Sequence, residues 1–303
     1  MIIAVASGKG GTGKTTVATS LALALLEDGG NTTKRAEPID SPQLLFLDCD
    51  VEEPNAALFL KPSMDHHQDV GILIPEVDFD RCTYCGRCAE VCVWHAIAVV
   101  GRRVLVFPEL CHGCGSCTLN CPEEAIHEVL HVMGTLESGH AGPLAFGHGI
   151  LNVGEAMAVP IIRQLKGRMM GDPDRRVTVL DASPGTSCPV VETMRGADFV
   201  LLVTEPTPFG LHDLRLTVQV ARDELGLPVG VVVNRDGVGD AGVDEYCAAE
   251  GIPVLMRIPL DRRIAEAISG GEALVRALPE YRPQFLRLWD QILSILESRK
   301  DAR

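Results

Sequence analysis

The chain opens MIIAVASGKGGTGKTTVATS (Met1–Ser20), a strand, a glycine-rich turn and a helix in succession. Ile2 to Ala6 is a short apolar run of strand character. Ser7 to Gly13 is a glycine-rich turn. Lys14 to Leu26 carries Val17, Leu21 and Leu25 on one helical face before Gly29-Gly30 ends it. Strand, glycine turn and helix in this order make a phosphate-binding loop. Gly8, Gly10, Gly11 and Gly13, with Thr12 among them, let backbone N–H groups curl around phosphate oxygens. Lys14 is expected on the β- and γ-phosphates. Thr15 is expected to put its hydroxyl on Mg²⁺, with Thr16 at the same helix N-terminus. One lysine suffices for this, so Lys9 on the same loop needs a further reason.

Outward from the loop the pattern repeats. Leu44 to Asp50, Val177 to Gly185 (reaching Asp181), and the runs FVLLVTEPT, VGVVVNR and PVLMRIP are apolar strands separated by helical stretches. Continuous apolar strands alternating with helices make a parallel sheet covered on both faces. Ligands of such sheets bind at the C-terminal strand ends, where Asp50, Asp181 and Asn234 fall. The expected fold is therefore an α/β P-loop domain with a mostly parallel sheet. A polar stretch, Asn31 to Gln43, reads as a surface insertion without a catalytic role.

GKGGTGKT resembles the deviant Walker A motif of the MinD/ParA-type ATPases, a group that includes the nitrogenase iron protein. The resemblance implies that Lys9 crosses a nucleotide-sandwich dimer to the partner's phosphates while Lys14 acts in its own subunit. It implies Asp181 as the Walker B acid, reaching Mg²⁺ through water, and Asp50 as the switch I acid that activates the attacking water. Asp48 is then either near the metal or structural. Gly185 would sense the γ-phosphate through its N–H. Asn234 would read the adenine edge, Arg235 would stack on the base, and Ile258 to Asp261 would close over it.

Between the Asp50 and Asp181 strands the sheet pattern stops. CTYCGRCAEVC places Cys82, Cys85, Cys88 and Cys92; CHGCGSCTLNCP places Cys111, Cys114, Cys117 and Cys121. Both are C-x₂-C-x₂-C-x₃-C, at a 29-residue interval that extends to Ala96-Ile97 and Ala125-Ile126. This is the duplicated bacterial ferredoxin pattern, in which the fourth cysteine of each run ligates the other cluster. Two 4Fe–4S clusters are expected, one on Cys82, Cys85, Cys88 and Cys121, the other on Cys111, Cys114, Cys117 and Cys92. Zinc would call for two spaced pairs of cysteines. Val93 replaces the proline that normally follows the fourth cysteine. Val77–Phe79 and Val104–Val106 read as short strands. The domain reading is a discontinuous ATPase (1–65 and 145–303) with an inserted dicluster ferredoxin domain (70–140).

Three further cysteines remain. Cys49 and Cys247 read as apolar packers and Cys188 as a packed or capped thiol. His66, His67, His112, His127, His131, His140 and His148 are spaced irregularly and read as surface or loop residues. Phe285, Trp289, Ile292 and Leu296 mark a last amphipathic helix, expected to pack on the sheet and not on a membrane.

Composition agrees. The chain has 303 residues, is 46% hydrophobic and carries a net charge of −14, which disfavours nucleic acid as a partner. Eleven cysteines without a signal-like opening point to metal ligands and a cytoplasmic protein. The whole chain thus resembles MinD-superfamily ATPases with an inserted ferredoxin domain, of which one pair belongs to the orange-protein complex linked to cell division. The resemblance implies a homodimer, or a heterodimer with a paralogous ATPase, and a redox or assembly protein as partner. Two functions compete. One is ATP-driven dimer closure coupled to electron transfer. The other is a MinD- or Mrp-like positioning or cluster-assembly ATPase whose clusters are structural or sensory. An amidoligase shares the P-loop fold, but residues 190–303 leave no room for the glutaminase it would need.

Overall fold

A computed structural model describes residues 1–27, 44–171 and 177–301, so the insertion expected at Asn31–Gln43 lies outside the described residues. The main sheet uses β1 (Ile2–Ala6), β2 (Leu44–Asp48), β3 (Ser63–Val77), β6 (Ile126–Ala141), β7 (Leu144–Leu151), β8 (Val177–Asp181), β9 (Phe199–Thr204), β10 (Val229–Asp236) and β11 (Val254–Pro259). Their order is β11-β10-β9-β1-β8-β2-β7-β6-β3. The first seven in this order are parallel, and β6 and β3 close the edge antiparallel.

Side chains alternate across this sheet and build two cores. Ile3, Val5, Phe46, Phe146, Val179 and Leu201 face α1 (Lys14–Glu27), α2 (Ala56–Leu60), α9 (Arg262–Ser269), α10 (Leu274–Ala277) and α11 (Arg282–Asp301). Ala4, Leu45, Leu47, Leu180 and Val231 face α5 (Val159–Met169), α6 (Cys188–Met194), α7 (Pro208–Val218) and α8 (Gly242–Ala249). With both faces covered, the strands have no polar side to display, hence the unbroken apolar runs. Phe285, Trp289 and Ile292 of α11 are buried in the first core, so the last helix packs inward as expected. Cys49 and Cys247 are buried packers, whereas Cys188 is exposed at the start of α6.

The sheet does not stop where the sequence pattern does. β7 sits parallel beside β2, and the antiparallel pair β3–β6 extends it as a long ribbon. Their histidines and glycines break the apolar run that betrays the other strands. They also alter the histidine reading. The registers align Asp181, Asp48, His148, Glu137 and His67 in one continuous row across β8, β2, β7, β6 and β3. Glu137 accepts from both sides, with His67 at 3.1 Å and His148 at 2.9 Å. His148, expected at the surface, is buried with an unpartnered Nδ1.

The ribbon carries residues 78–125 beyond its far end. Here α3 (Arg87–Glu90), β4 (Ile97–Val99), β5 (Val104–Val106) and α4 (Ser116–Leu119) surround a small core of Ile97, Val104 and Ile126. Val104–Val106 is a strand as expected, whereas Val77 ends β3 and Asp78-Phe79 lie outside it. The 29-residue repeat is visible in the backbone. Left-handed φ values recur at Tyr84 and Gly113, at Gly86 and Gly115, and at His95 and Glu124.

Candidate functional site

Glycine positions in the phosphate loop follow from what surrounds them. Gly11 and Gly13 have φ of 78° and 90°, left-handed conformations that a side chain resists. A Cβ at Gly13 would stand 2.4 Å from Asn234 Nδ2, and one at Gly8 would stand 2.5 Å from Asp213. The loop is thus pressed between β10 and α7, and it lines a cleft of about 470 Å³. Lys9, Gly10, Gly11, Thr12, Gly13, Lys14, Thr15, Thr16, Asp50, Asn234 and Arg235 all line it. Leu260, Asp261, Ile264 and Ile268 form a largely apolar wall with Phe59. Pro259–Asp261 belong to the segment expected to close over the base. Nothing local in AALFL or RRIAEAIS marks Phe59 and α9 as lining of the cleft, and only the fold brings them there.

Charge is concentrated at the strand ends. Lys14 Nζ donates to Asp181 Oδ1 at 2.7 Å and lies 3.9 Å from Asp50 Oδ2. Burial works to lower the Lys14 pKa, but Asp181, Asp50 and Asp48 together outweigh it, and the ammonium is held above its usual value. Burial pushes Asp50 up to about 6 against the pull of Lys14. Asp48 is pushed up to about 8 by burial and by the neighbouring Asp181. Asp48 is structural: its carboxyl accepts the N–H groups of Asp50 at 3.1 Å and Ala56 at 2.9 Å, and so shapes the turn that presents Asp50. Asp181 Oδ2 is buried with no hydrogen-bond partner. A hard cation, or a water bound to one, suits such an orphaned oxygen, so the residues fit Mg²⁺. The Gly185 N–H is held by Ser7 O at 2.9 Å, on a loop that passes directly beside the phosphate loop.

The second lysine has a partner that sequence reasoning missed. Lys9 Nζ lies 3.1 Å from Glu205 Oε2, at the end of β9, and Arg235 Nη1 lies 2.5 Å from Glu205 Oε1. TEPT carried this acid in plain view, but only folding brings it 196 residues back to the loop. Arg235 also donates to Gly11 O at 3.2 Å, from a left-handed φ of 54°. Asn234 donates to Thr12 O at 2.6 Å, and its Oδ1 accepts the Arg235 N–H at 2.9 Å. Both β10 residues thus brace the phosphate loop.

The cysteines form two groups. Cys82, Cys85, Cys88 and Cys121 line one small cavity, while Cys92, Cys111, Cys114 and Cys117 line another. Four Sγ atoms accept backbone N–H groups in repeat-related pairs: Tyr84 to Cys82 and Gly113 to Cys111, then Ala96 to Cys92 and Ala125 to Cys121. Burial raises the thiol pKa of Cys88, Cys111 and Cys117. Among the described residues, no three His, Cys, Asp or Glu side chains converge to hold a single metal ion. Trp94 stacks on His112 at 3.6 Å beside the second cavity.

A phosphate loop facing two strand-end acids, with the two lysines of GKGGTGKT on it, narrows the choice of family. The model of the CobQ/CobB/MinD/ParA nucleotide-binding domain matches residues 3–275. The chain belongs to this family. An uncharacterized protein of Methanocaldococcus jannaschii, MJ0579, is 29% identical over 91% of this MinD/ParA-family chain and 92% of its own. A second from the same organism, MJ0578, is 33% identical over 71% of this chain and 72% of its own. Among solved structures, the septum site-determining protein MinD of Pyrococcus horikoshii, complexed with Mg-ADP, superposes with a TM-score of 0.54. It is 20% identical and covers 96% of this chain and 95% of its own. The Pyrococcus furiosus cell division ATPase MinD gives 0.54 at 22% identity, over 97% and 98% of the two chains. These likenesses establish an α/β P-loop fold of MinD type with a mostly parallel sheet. No helix among the described residues is long and apolar enough to cross a membrane.

Proposed function

We propose that this protein is a nucleotide-driven switch: an ATPase that closes into a dimer on ATP and acts as a MinD-like positioning or assembly ATPase, with its cysteine module as the responding part. Gly8–Thr16 would hold the phosphates, with Lys14 in the same subunit and Thr15 on Mg²⁺. Asp181 would hold the metal's water and Asp50 would take the proton of the attacking water. Lys9 would leave Glu205 for the phosphates of a partner copy or a paralogue. The observation that carries this reading is Lys14 held 2.7 Å from Asp181 and 3.9 Å from Asp50, at the mouth of a phosphate loop that also presents Lys9. Mg-ADP in the Pyrococcus horikoshii MinD structure supports it at the level of fold. That Methanocaldococcus jannaschii holds two relatives supports a paired arrangement.

The test is dimerisation followed by light scattering with ATP and Mg²⁺. Lys14→Ala should lose nucleotide binding. Lys9→Ala should bind ATP as a monomer but neither dimerise nor hydrolyse it. Asp50→Ala should form a long-lived dimer. Wild-type hydrolysis by Lys9→Ala would refute the role across the dimer.

A second reading, ATP-gated electron transfer, is favoured by one observation: the eight cysteines line two cavities in the crossed sets that a duplicated ferredoxin needs. In a 4Fe–4S cube each thiolate meets its own iron, so the four sulfurs surround a volume and do not converge on a point. The backbone N–H groups donated to Cys82, Cys92, Cys111 and Cys121 suit such anionic clusters. Cys82, Cys85, Cys88 and Cys121 would hold one and Cys92, Cys111, Cys114 and Cys117 the other, within residues 78–125; the stretch read from the sequence as the insertion, 70–140, also takes in parts of β3 and β6, which belong to the main sheet. When bound, the clusters would supply one-electron chemistry. Iron analysis of anaerobically purified protein tests the ligation. Redox titration with ADP and then with a non-hydrolysable ATP analogue separates the two readings, since a nucleotide-dependent potential belongs to the second.

A further inference from the structure

We propose that helix α5 makes the ribbon β3–β6 move with helix α6, and that Lys166 is the positioning residue that joins the two. The inference rests on the reading that the cleft binds ATP.

One side of α5 is geared to the ribbon and β7. Ile161 seats against glycines on both β6 and β7. A Cβ at Gly134 would stand 2.7 Å from its Cδ1, and one at Gly149 would stand 2.6 Å from its Cγ2. Gln164 Nε2 donates to Gly71 O at 2.8 Å, where β3 shifts register after Val70. Arg168 pairs with Gln68, also on β3. Ile161, Ile162 and Leu165 are fully buried, so the helix cannot slide over these strands without opening the core.

The other side grips α6. Lys166 Nζ donates to Glu192 O at 2.7 Å, Thr193 O at 3.0 Å and Arg195 O at 2.8 Å. All three ammonium hydrogens are thus spent on carbonyls at the C-terminal end of α6, where the helix dipole favours a cation. Arg163 Nη2 adds a bond to Glu192 Oε2 at 3.0 Å. α6 starts at Cys188, three residues after Gly185, whose N–H touches the phosphate loop at Ser7 O. If the cleft binds ATP, this loop, tied to the phosphate loop through Gly185, is placed to move with the γ-phosphate. A shift of α6 that kept its carbonyls on a half-buried ammonium would carry α5 with it, and α5 would carry β3 and β6. These strands end at Val77 and start again at Ile126, the two roots of the cysteine module. Motion at the phosphate would therefore reach residues 78–125 without a direct contact.

Amide hydrogen exchange on the full-length protein, with ADP and with a non-hydrolysable ATP analogue, tests this. In the wild type, ribbon peptides within 63–77 and 126–141 should differ between the two nucleotides by about tenfold, a usual coupling between sites. Lys166→Met keeps the packed stem but removes the donors. It should reduce the ribbon difference to about twofold or less while the loops at 7–13 and 181–187 respond as before. Gln164→Leu, which cuts the opposite end, should do the same and decides the matter if Lys166→Met does not fold. Lys166→Arg, which keeps a cation on the α6 carbonyls, should restore much of the response. A wild-type ribbon that ignores nucleotide while the loops respond would overturn the coupling. So would a ribbon response surviving intact in Lys166→Met and Gln164→Leu. If the loops themselves ignore both nucleotides, the ATP-binding reading falls, and the coupling falls with it.

Discussion

Lys14→Met tests the electrostatics of the phosphate-loop site independently of any ATPase assay. Lys14 is the cation facing Asp181 at 2.7 Å, Asp50 at 3.9 Å and the buried Asp48. Removing one partner of a buried ion pair costs roughly 3–5 kcal/mol, mostly because the remaining charge is stranded. The remaining carboxyls can escape by staying protonated, so the cost must depend on pH. In the wild type, burial has already raised Asp48 to about 8 and Asp50 to about 6. A carboxyl raised above its unfolded value gives stability at low pH that is lost as pH rises to the folded pKa. Without Lys14 both folded values rise further, so the variant goes on losing stability where the wild type has levelled off, above about 6 for Asp50 and about 8 for Asp48. Each further tenfold gain in a carboxyl's proton affinity adds about 1.4 kcal/mol. Urea unfolding of nucleotide-free protein should therefore give a penalty at pH 9 that exceeds the penalty at pH 6 by about 1–3 kcal/mol. A penalty that is flat with pH, or larger at pH 6, would refute the claim that Lys14 neutralises these carboxyls.

Three other outcomes are expected. The kcat/KM for ATP should fall below pH 6, because Asp50, pushed up to about 6, is a base only when ionised; Asp50→Asn should lack this limb in its residual rate. Gly13→Ala should lose nucleotide affinity, measured by calorimetry, since its Cβ would meet Asn234 Nδ2 at 2.4 Å. Adding Asn234→Ala should restore only part of it, because the left-handed φ still costs roughly 1–2 kcal/mol. If the cysteines hold the two proposed clusters, anaerobic protein should carry about eight irons per chain, and Cys88→Ala and Cys117→Ala should each lose about half, since each would remove a ligand from a different cluster. Stoichiometric zinc without iron would refute the cluster reading.

Local chemistry made much of this protein legible in its sequence. A phosphate loop needs glycines, a lysine and a hydroxyl within one strand–turn–helix, so Gly8 to Thr16 declare themselves without distant help. Strands buried on both faces must be apolar throughout, which revealed β1, β2, β8, β9, β10 and β11 and placed Asp50 and Asp181 at their ends. The cysteine repeat was equally local in its spacing. The remaining features join residues far apart in the chain. β7 and the ribbon β3–β6 were invisible because LAFGHGIL and the histidine-rich strands lack an unbroken apolar run. Their place at the sheet edge comes from pairing with β2 and not from composition. That pairing buried His148 and lined it up with Asp48 and Glu137. Glu205 became the partner of Lys9 only when β9 was laid beside β1, and Asp48 took a structural role because the turn to α2 folds its N–H groups onto the carboxyl. A motif records interactions its own residues make with a ligand. Ion pairs and rows across a sheet depend on register, and register is set by the packing of the whole domain.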